Sequence, residues 1–356
     1  VGRPGRELCM TVQPNILVVG PAWIGDMVMA QSLFKALKAR APGGTVSVAA
    51  PTFTAPLLER MPEVDVVIDT PFRHNHLQLR ERYSLGRSLR RQSYDRAIVL
   101  PGSIKAALLP FFAAIPTRSG YRGEPRWGLV NDCRALDQGV LSRQIDRFVQ
   151  LSLPPGSPPA SSNPLPRLVT RPEQAPRIID RLGLTVSPAS ALALCPGAEF
   201  GPAKRWPSRH FATLASHFLG QGWQVWLLGS EVDAPTTRDI NQQTGDRCLD
   251  LSGHTSLLEV VDLLAAATAI VSNDSGLMHV GAASGRPVVG IFGSSSAANT
   301  PPLSDRARAI SLDLPCSPCF ARHCPLSHTD CLEQLLPQQV IAAVAALPGI
   351  QDAPGA

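Results

Sequence analysis

The sequence lacks the long apolar segments that mark membrane and secreted proteins. No apolar run approaches the roughly 20 residues that a membrane-spanning helix needs. The nearest run, AALLPFFAAIP at 106–116, is short and is interrupted by Pro110. The opening VGRPGRELCMTVQP has no apolar centre of the kind found in signal peptides, whether the protein starts at Val1 or at Met10. We therefore expect a cytoplasmic protein.

Charged and aromatic residues are also sparse, at 17% and 5% of the 356 residues, while 44% are hydrophobic. This composition is typical of an ordinary globular protein that is long enough for two domains. Residues 1–170 hold 21 Lys and Arg against 12 Asp and Glu, a net charge of +9, whereas 171–356 hold 12 against 16, a net charge of −4. The first half therefore suits an anionic partner. Because no basic motif is interleaved with aromatic residues, we expect no nucleic acid.

Cysteine is not scarce, but its arrangement does not suggest disulfides. In a cytoplasmic chain, eight cysteines are expected to be thiols or metal ligands. Cys316, Cys319, Cys324 and Cys331 cluster in CSPCFARHCPLSHTDC and supply enough soft ligands for a structural zinc ion. Their spacing, C-x2-C-x4-C-x6-C, does not match the common zinc-finger patterns, so packed or exposed thiols remain the alternative. We expect catalysis to require no cofactor.

Short apolar strands alternate with helical patterns along the whole chain. The first half has strand-like runs NILVVG (15–20), TVSVAA (45–50), VDVVID (64–69) and YDRAIVL (94–100), and the second half has ALALCPGA, WQVWLLGS, AIVSND and PVVGIFG. Strands that are apolar throughout predict parallel sheets covered by helices on both faces.

A stretch dense in Pro and Ser, 151–173, predicts a linker between two such units. We predict an α/β protein with two Rossmann-like, doubly wound domains, 1–170 and 171–356, that face each other across a cleft. The second domain is expected to contain helices from Ser208, at 257–267 and, last, at 338–347.

Ligands of open parallel sheets sit beyond the carboxyl ends of the strands, where helix N-termini point at them. In SNDSGLMHVGAASGRPVVGIFG (272–293), Asp274 ends a strand, and the amides from Gly276 onward begin a helix. Free amides and the helix dipole would bind an anion such as a diphosphate. The alternative is that Asp274 merely caps the helix and that His279 packs in the core.

Three further positions lie at the same kind of strand end. In CPGAEFGPAKRWP (195–207), Lys204 or Arg205 could neutralise a phosphate, or could be a solvated loop charge. Glu231, just after WLLGS, suits ribose hydroxyls. In PAWIGDMVMAQSLF (21–34), Asp26 could act as a general base or could be a helix cap.

The segments AWIGDMVMAQSLF, RSGYRGEPRWGLVND (118–132), PGAEFGPAKRWP and SNDSGLMHVGAASGRPVVGIFG together resemble the heptosyltransferases of glycosyltransferase family 9, from about Ile16 to Leu347. The resemblance implies the GT-B fold, with the acceptor on the N-terminal domain and the nucleotide sugar on the C-terminal domain. It implies Asp26 as the base, Lys204 on the diphosphate, Glu231 on the adenosine ribose and Asp274 on the heptose. It also implies a phosphate and sugar pocket lined by Ser275, Gly276, Leu277 and His279.

The resemblance further implies an inverting enzyme that moves L-glycero-D-manno-heptose from ADP-heptose to the first heptose of the lipopolysaccharide inner core. The acceptor, lipid A–Kdo–heptose, is anionic and would bring the enzyme to the cytoplasmic face of the inner membrane. We expect arginines to hold this acceptor, because their planar forks bind phosphate and carboxylate bidentately. The candidates are Arg118, Arg122 and Arg126, with Arg87, Arg90 and Arg91 from the basic stretch 73–91.

Alternatives remain at this point. Arg87, Arg90 and Arg91 could equally form a solvated helix face. Three other functions also stay open. The enzyme could transfer heptose to another core position, as heptosyltransferases I and III do, or it could be a nucleotide-sugar 2-epimerase of the same fold. The third alternative is a non-enzymatic two-lobed sugar-binding protein.

Overall fold

A computed structural model describes residues 13–73, 76–185 and 190–350. Val1 and Met10, the two candidate starts, lie outside these ranges, as do His74 and Asn75 of the basic stretch. The described chain forms two lobes, each built on a six-stranded sheet whose strands all run parallel.

The first lobe has strand order β3-β2-β1-β4-β5-β6. Its strands are β1 (Asn15–Val19), β2 (Thr45–Pro51), β3 (Val66–Thr70), β4 (Arg96–Val99), β5 (Thr117–Tyr121) and β6 (Asp132–Arg134). Its helices are α1 (Ile24–Arg40), α2 (Ala55–Leu58), α3 (Leu79–Leu89), α4 (Ile104–Phe112) and α5 (Gln144–Gln150), and a 3₁₀ turn spans Arg90–Gln92.

The second lobe has strand order β12-β11-β10-β7-β8-β9. Its strands are β7 (Ala191–Cys195), β8 (Gln224–Leu227), β9 (Leu249–Asp250), β10 (Ala269–Asn273), β11 (Val288–Ile291) and β12 (Ala307–Ile310). Its helices are α6 (Ala175–Arg181), α7 (Ser208–Gly220), α8 (Ala234–Gln243), α9 (Leu257–Ala266), α10 (Gly276–Ala283), α11 (Asp330–Glu333) and α12 (Pro337–Ala345). Three 3₁₀ turns lie at Pro172–Gln174, Pro202–Lys204 and Glu231–Asp233.

Counted from the opposite edge, the second sheet repeats the order of the first, and both match the order of doubly wound dinucleotide-binding folds. In each sheet the winding direction reverses between two central strands, β1 and β4 in one lobe and β7 and β10 in the other. Ligands of such sheets bind beyond the carboxyl ends of these central strands. The predicted fold is thus confirmed, and the topology gives each lobe one preferred binding edge.

The strands and helices predicted from the sequence are present in the structure. The helix predicted from Ser208 runs to Gly220, and the apolar run 106–116 supplies most of α4, with Pro110 buried inside the helix. The predicted boundary after residue 170 falls in 151–171, which contains no helix or strand. Among the described helices, none is both long enough and apolar enough to cross a bilayer.

The largest buried apolar cluster spans both lobes, and each lobe also has an apolar cluster of its own. Met29 and Phe34 of α1 belong to the same buried cluster as Met278 and Val280 of α10. Since each fully buried side chain of this size contributes roughly 1.5–3 kcal/mol, this contact holds α1 firmly against α10. The packing positions the first turn of each helix at the boundary between the lobes.

A buried ion pair joins the lobes a second time. The Nη2 atom of Arg60, just after α2, lies 2.7 Å from the Oδ2 atom of Asp262 in α9, and both side chains are almost fully buried. Both residues also bind the linker, because Arg60 Nη1 donates to the Val169 carbonyl and the Arg171 amide donates to Asp262 Oδ1. First lobe, linker and second lobe are therefore tied at one point.

We expect Arg60→Met or Asp262→Leu to lower the free energy of unfolding by about 3–5 kcal/mol, because each leaves a buried charge without its partner. The double variant should lose less than the sum of the two. Urea denaturation measures all three, with Arg181→Met as control because its pair with Glu259 is largely exposed. Additive losses, or losses no larger than that of Arg181→Met, would contradict this account.

Candidate active site

The N-termini of α1 and α10 meet at the boundary between the lobes. A Cβ atom built on Gly25 would lie 2.7 Å from His279 Cδ2, and one built on Gly276 would lie 2.8 Å from Ile24 Cβ. Only glycine therefore permits this approach without displacement. Each helix start presents free amide N–H groups and the positive end of a helix dipole, so the junction favours negative charge.

Asp26 lies at this junction, in the first turn of α1. Its carboxyl group is partly buried, and burial raises its pKa to about 6, while the charge of Lys204 lowers it and that of Asp274 raises it. Trp23 occupies the N-cap position, and within the described chain no side chain caps α1. The carboxylate is therefore not used as a helix cap, which was the alternative interpretation.

Lys204 and Asp274 form an ion pair opposite Asp26. Their Nζ and Oδ2 atoms lie 2.5 Å apart, and the Asp274 side chain is almost fully buried. Ser275 occupies the N-cap position of α10, where no side-chain cap is formed among the described residues. The interpretation of Asp274 as a simple helix cap is therefore not supported.

A buried amide fixes the loop that carries Lys204. Asn273, the last residue of β10, donates through Nδ2 to the Pro196 carbonyl at 2.6 Å and accepts from the Trp206 amide at 3.1 Å. The loop between β7 and α7 is thereby held against the start of α10. Asn273 lies in the motif at 272–293, but the role of its side chain depends on contacts that the sequence does not show.

His279 is buried beside this pair and stays neutral. Burial lowers its pKa to about 4; the charge of Asp274 raises the pKa and that of Lys204 lowers it. Its Nδ1 atom has no hydrogen-bond partner within the described structure. His279 also lines a cavity, so it is both a core residue and a polar group with an unused nitrogen.

Two cavities meet at Trp23 and Asp26. We call the one that reaches into the second lobe the second-lobe cavity. It has a volume of about 270 Å³ and brings together most of the predicted site: Asp26, Lys204, Asp274, Ser275, Gly276 and His279. Glu199, Phe200 and Thr300 also line it. The first two stand in the quoted loop 195–207, whereas nothing in the sequence marked Thr300.

The first-lobe cavity, of about 440 Å³, is basic. Arg73, Arg82 and Lys105 line it, and Asp26 is the one acid among its described lining residues. Arg82 is buried, donates to the carbonyls of Leu77 and Lys105, and lies 4.0 Å from the centroid of the Phe72 ring. Within the described structure, Arg73 and Lys105 form no ion pair, so both charges are available to an anion.

The other predicted residues lie outside both cavities. Glu231 is exposed where a 3₁₀ turn begins after β8, and Leu277 lies partly buried in the first turn of α10. Arg205 donates to the Ala198 carbonyl within its own loop. Their predicted roles stay predictions.

The six predicted acceptor arginines fall into two groups. Arg118 donates to three backbone carbonyls, at residues 115, 128 and 129, and Arg126 is buried and donates to two, at residues 101 and 121. Their guanidinium groups hold loops together. The others, exposed on the surface, are Arg87, Arg90, Arg91 and Arg122.

The four clustered cysteines are free thiols. Burial raises the pKa of the Cys331 thiol, and the charges of Cys316, Cys319 and Cys324 raise it further. Among the described residues, however, no group of three or more His, Cys, Asp or Glu side chains is arranged to hold a metal ion. Structural zinc thus stays a prediction, which elemental analysis of the purified protein would test.

Comparison with known proteins gives consistent results. Residues 82–329 match the family model described as "Glycosyltransferase family 9 (heptosyltransferase)". The chain is 47% identical to "Lipopolysaccharide heptosyltransferase 2" of Salmonella typhimurium, covering 84% of this chain and 88% of that protein. It is 44% identical, with the same coverage, to "Lipooligosaccharide heptosyltransferase 2" of Haemophilus influenzae. The solved "Structure of E. coli ADP-heptose lps heptosyltransferase II" is similar with a TM-score of 0.83 at 40% identity, covering 95% of this chain and all of that one.

We expect Gly25→Ala to lower the free energy of unfolding by about 1–3 kcal/mol, because the added methyl group must push α1 away from His279. Gly220→Ala is the control: its Cβ would meet nothing within 4 Å, so stability should be unchanged or slightly higher. Urea denaturation compares the two. Equal stability of the two variants would show that the helix junction is not tightly packed.

Proposed function

The chain belongs to glycosyltransferase family 9, the heptosyltransferases, and on that premise we propose that it acts as a lipopolysaccharide heptosyltransferase 2. It moves heptose from ADP-heptose to the first heptose of the lipopolysaccharide inner core, on the cytoplasmic face of the inner membrane. The observation that carries this proposal is the position of Asp26 in the shared wall of two cavities, one for each substrate.

The second-lobe cavity is assigned to ADP-heptose. The diphosphate would bind at the N-terminus of α10, where free amides and the helix dipole favour anions. Lys204 is the adjacent cation, and a diphosphate would compete with Asp274 for its ammonium group. Asp274 would then be free to accept hydrogen bonds from heptose hydroxyls.

The remaining donor residues follow from position. Ser275, Gly276 and His279 line the same cavity, and the free Nδ1 of His279 offers one further hydrogen bond to the donor. Leu277 supplies a backbone amide in the first turn of α10. Glu231 follows β8, the strand beside β7, and its assignment to the adenosine ribose rests on this place at the strand ends.

Asp26 is assigned as the general base. With a pKa of about 6 its carboxylate is ionised at neutral pH, yet it is more basic than an ordinary aspartate. It would take the proton of the acceptor hydroxyl as the oxygen attacks the anomeric carbon and ADP leaves from the opposite face. Lys204 and the α10 amides would stabilise the charge that develops on ADP. One displacement inverts the anomeric centre.

The first-lobe cavity is assigned to the acceptor sugars. Lipid A–Kdo–heptose carries phosphates and carboxylates, and Arg73, Arg82 and Lys105 present positive charge to this space. These residues are better placed for that role than the six arginines predicted from the sequence. Of the three, Arg73 and Lys105 have side chains that are free to bind.

Incubation with ADP-heptose and lipopolysaccharide acceptors truncated at defined sugars, analysed by mass, tests the proposed function. We expect one heptose to be added to an acceptor that ends in a single heptose. Addition to an acceptor without heptose, or only to one with a longer core, would assign a different transferase. ADP-heptose consumption without any acceptor would favour an epimerase, and binding without turnover would favour a sugar-binding protein.

The pH dependence of kcat/KM for the acceptor should report Asp26. Because the base must be deprotonated, we expect the value to fall about tenfold per pH unit below about 6 and to be level above it. His279, whose pKa is about 4, stays neutral over this range and adds no inflection. An inflection near the ordinary aspartate value of 3.8 would contradict the burial of Asp26.

Replacing the free cations of the first-lobe cavity should weaken acceptor binding. We expect Arg73→Gln and Lys105→Gln each to raise the acceptor KM about tenfold, because each removes one charged hydrogen bond to the acceptor. The KM for ADP-heptose should not change. The matched control is Arg238→Gln, which changes an exposed arginine of α8. If Arg73→Gln and Lys105→Gln both keep the wild-type acceptor KM, neither residue belongs to the acceptor site.

A further inference from the structure

A strip of exposed apolar and basic side chains crosses the outer surface of the first lobe. Its members are Leu79, Tyr83, Arg87 and Arg90 from α3 and the adjoining turn, Phe111 from α4, and Trp127 from the loop before β6. Trp127 is 92% exposed, Leu79 49%, Tyr83 44% and Phe111 42%. We call this set the aromatic–basic strip. A tryptophan so fully exposed contributes little to packing of the fold, and exposed apolar side chains that form a contiguous patch indicate an interaction site.

The part of the strip on α3 is continuous. Leu79, Tyr83 and Arg87 follow at intervals of four residues and so share one face of the helix. The Arg87 guanidinium lies 5.8 Å from the centroid of the Tyr83 ring and donates to its hydroxyl at 3.2 Å. Tyr83 packs edge-on against Phe112, to whose carbonyl Arg90 donates at 2.9 Å.

The strip continues from α4 to the loop that carries Trp127. Phe112 packs edge-on against Phe111, with ring centroids 5.7 Å apart. The Arg118 guanidinium lies 5.6 Å from the Phe111 ring and donates to the Gly128 carbonyl at 3.0 Å. Arg118 thereby holds the turn on which Trp127 projects into solvent.

The exposed charges beside these apolar side chains are mainly positive. Arg87, Arg90 and Arg91 lie along the strip, and Arg122 is in the loop that carries Trp127. Two exposed acids are also nearby. Glu81 lies two residues before Tyr83, on the opposite side of α3, and Glu124 accepts the amide at the start of α4.

We propose that the aromatic–basic strip docks the protein on the anionic surface of a phospholipid bilayer, with Trp127 inserted at the headgroup level. Aromatic side chains with one apolar and one polar end prefer this depth, and arginines beside them bind anionic headgroups. Since no described helix can cross a bilayer, the contact is peripheral.

The strip also lies beside the first-lobe cavity, and the assignment of that cavity to the acceptor rests on the proposed function. Arg82 of α3 and Lys105 and Leu109 of α4 line the first-lobe cavity, while other residues of the same two helices form the strip. Docking by the strip would therefore bring the cavity to the membrane in which the lipid A acyl chains of the acceptor are anchored. The surface arginines predicted to hold the acceptor would contact lipid headgroups instead.

Flotation with vesicles tests this proposal. The wild-type protein should bind vesicles of phosphatidylglycerol and phosphatidylethanolamine, should bind phosphatidylcholine vesicles weakly, and should be released from the former by salt. Trp127→Ala should lower the vesicle partition coefficient roughly tenfold, and Leu79→Ser/Trp127→Ala further. Phe320→Ala removes a 54% exposed aromatic side chain of the second lobe and should bind as the wild type does.

Three results would overturn the proposal. The first is a wild-type protein that does not bind the anionic vesicles, and the second is a Trp127→Ala variant that binds them as well as Phe320→Ala does. The third is self-association of the wild type, measured without vesicles by analytical ultracentrifugation, that Trp127→Ala abolishes, because the strip would then contact a second copy of the chain.

Turnover separates this proposal from the proposed function. On a deacylated acceptor free in solution, Trp127→Ala should match the wild type, since Trp127 lies outside both cavities; on acceptor embedded in vesicles it should be slower. Transfer that fails in the wild type while vesicle binding depends on Trp127 would refute the function and support docking. Normal transfer with vesicle binding that is independent of Trp127 would refute docking alone.

Discussion

The close approach of two helix N-termini is the constraint on which the active site depends. Gly25 and Gly276 have no side chains, so α1 of one lobe can touch α10 of the other. This contact brings Asp26, from the first lobe, next to Lys204 and Asp274 of the second. Neither lobe alone contains both the carboxyl group that we assign as the base and the α10 start with Lys204 beside it. The proposed chemistry therefore depends on the interface between the lobes.

The same contact explains the electrostatics of the site. Packing removes water from Asp26 and His279, and this burial moves their pKa values in opposite directions, to about 6 and about 4. Both shifts have the same cause, because burial disfavours the charged form of each group: the carboxylate of Asp26 and the imidazolium of His279. The result is a carboxylate more basic than usual beside an imidazole that stays neutral. Asp274 pairs with Lys204 at 2.5 Å, next to these two groups.

The sequence predicted the central strands and the residues near their ends, because β1 and β10 are mostly apolar, Asp274 follows β10 directly and Asp26 lies in the first turn of the helix after β1. It did not predict β5 or the edge strands β6, β9 and β12, which are short or contain polar and charged residues. Arg73 and Lys105 share a cavity only because the sheet order places the segment after β3 beside the start of α4. Contacts of this kind depend on topology, which local sequence patterns do not encode.

The rate of heptose transfer in a single turnover by Asp26→Asn tests the central claim most directly. With donor and acceptor both saturating at neutral pH, the account predicts a rate about 10²–10⁴-fold below that of the wild type, with ADP-heptose affinity retained. Asp180→Asn, which changes an exposed carboxylate of α6, should transfer at the wild-type rate. A near-normal rate in Asp26→Asn would contradict the assignment of Asp26 as the base.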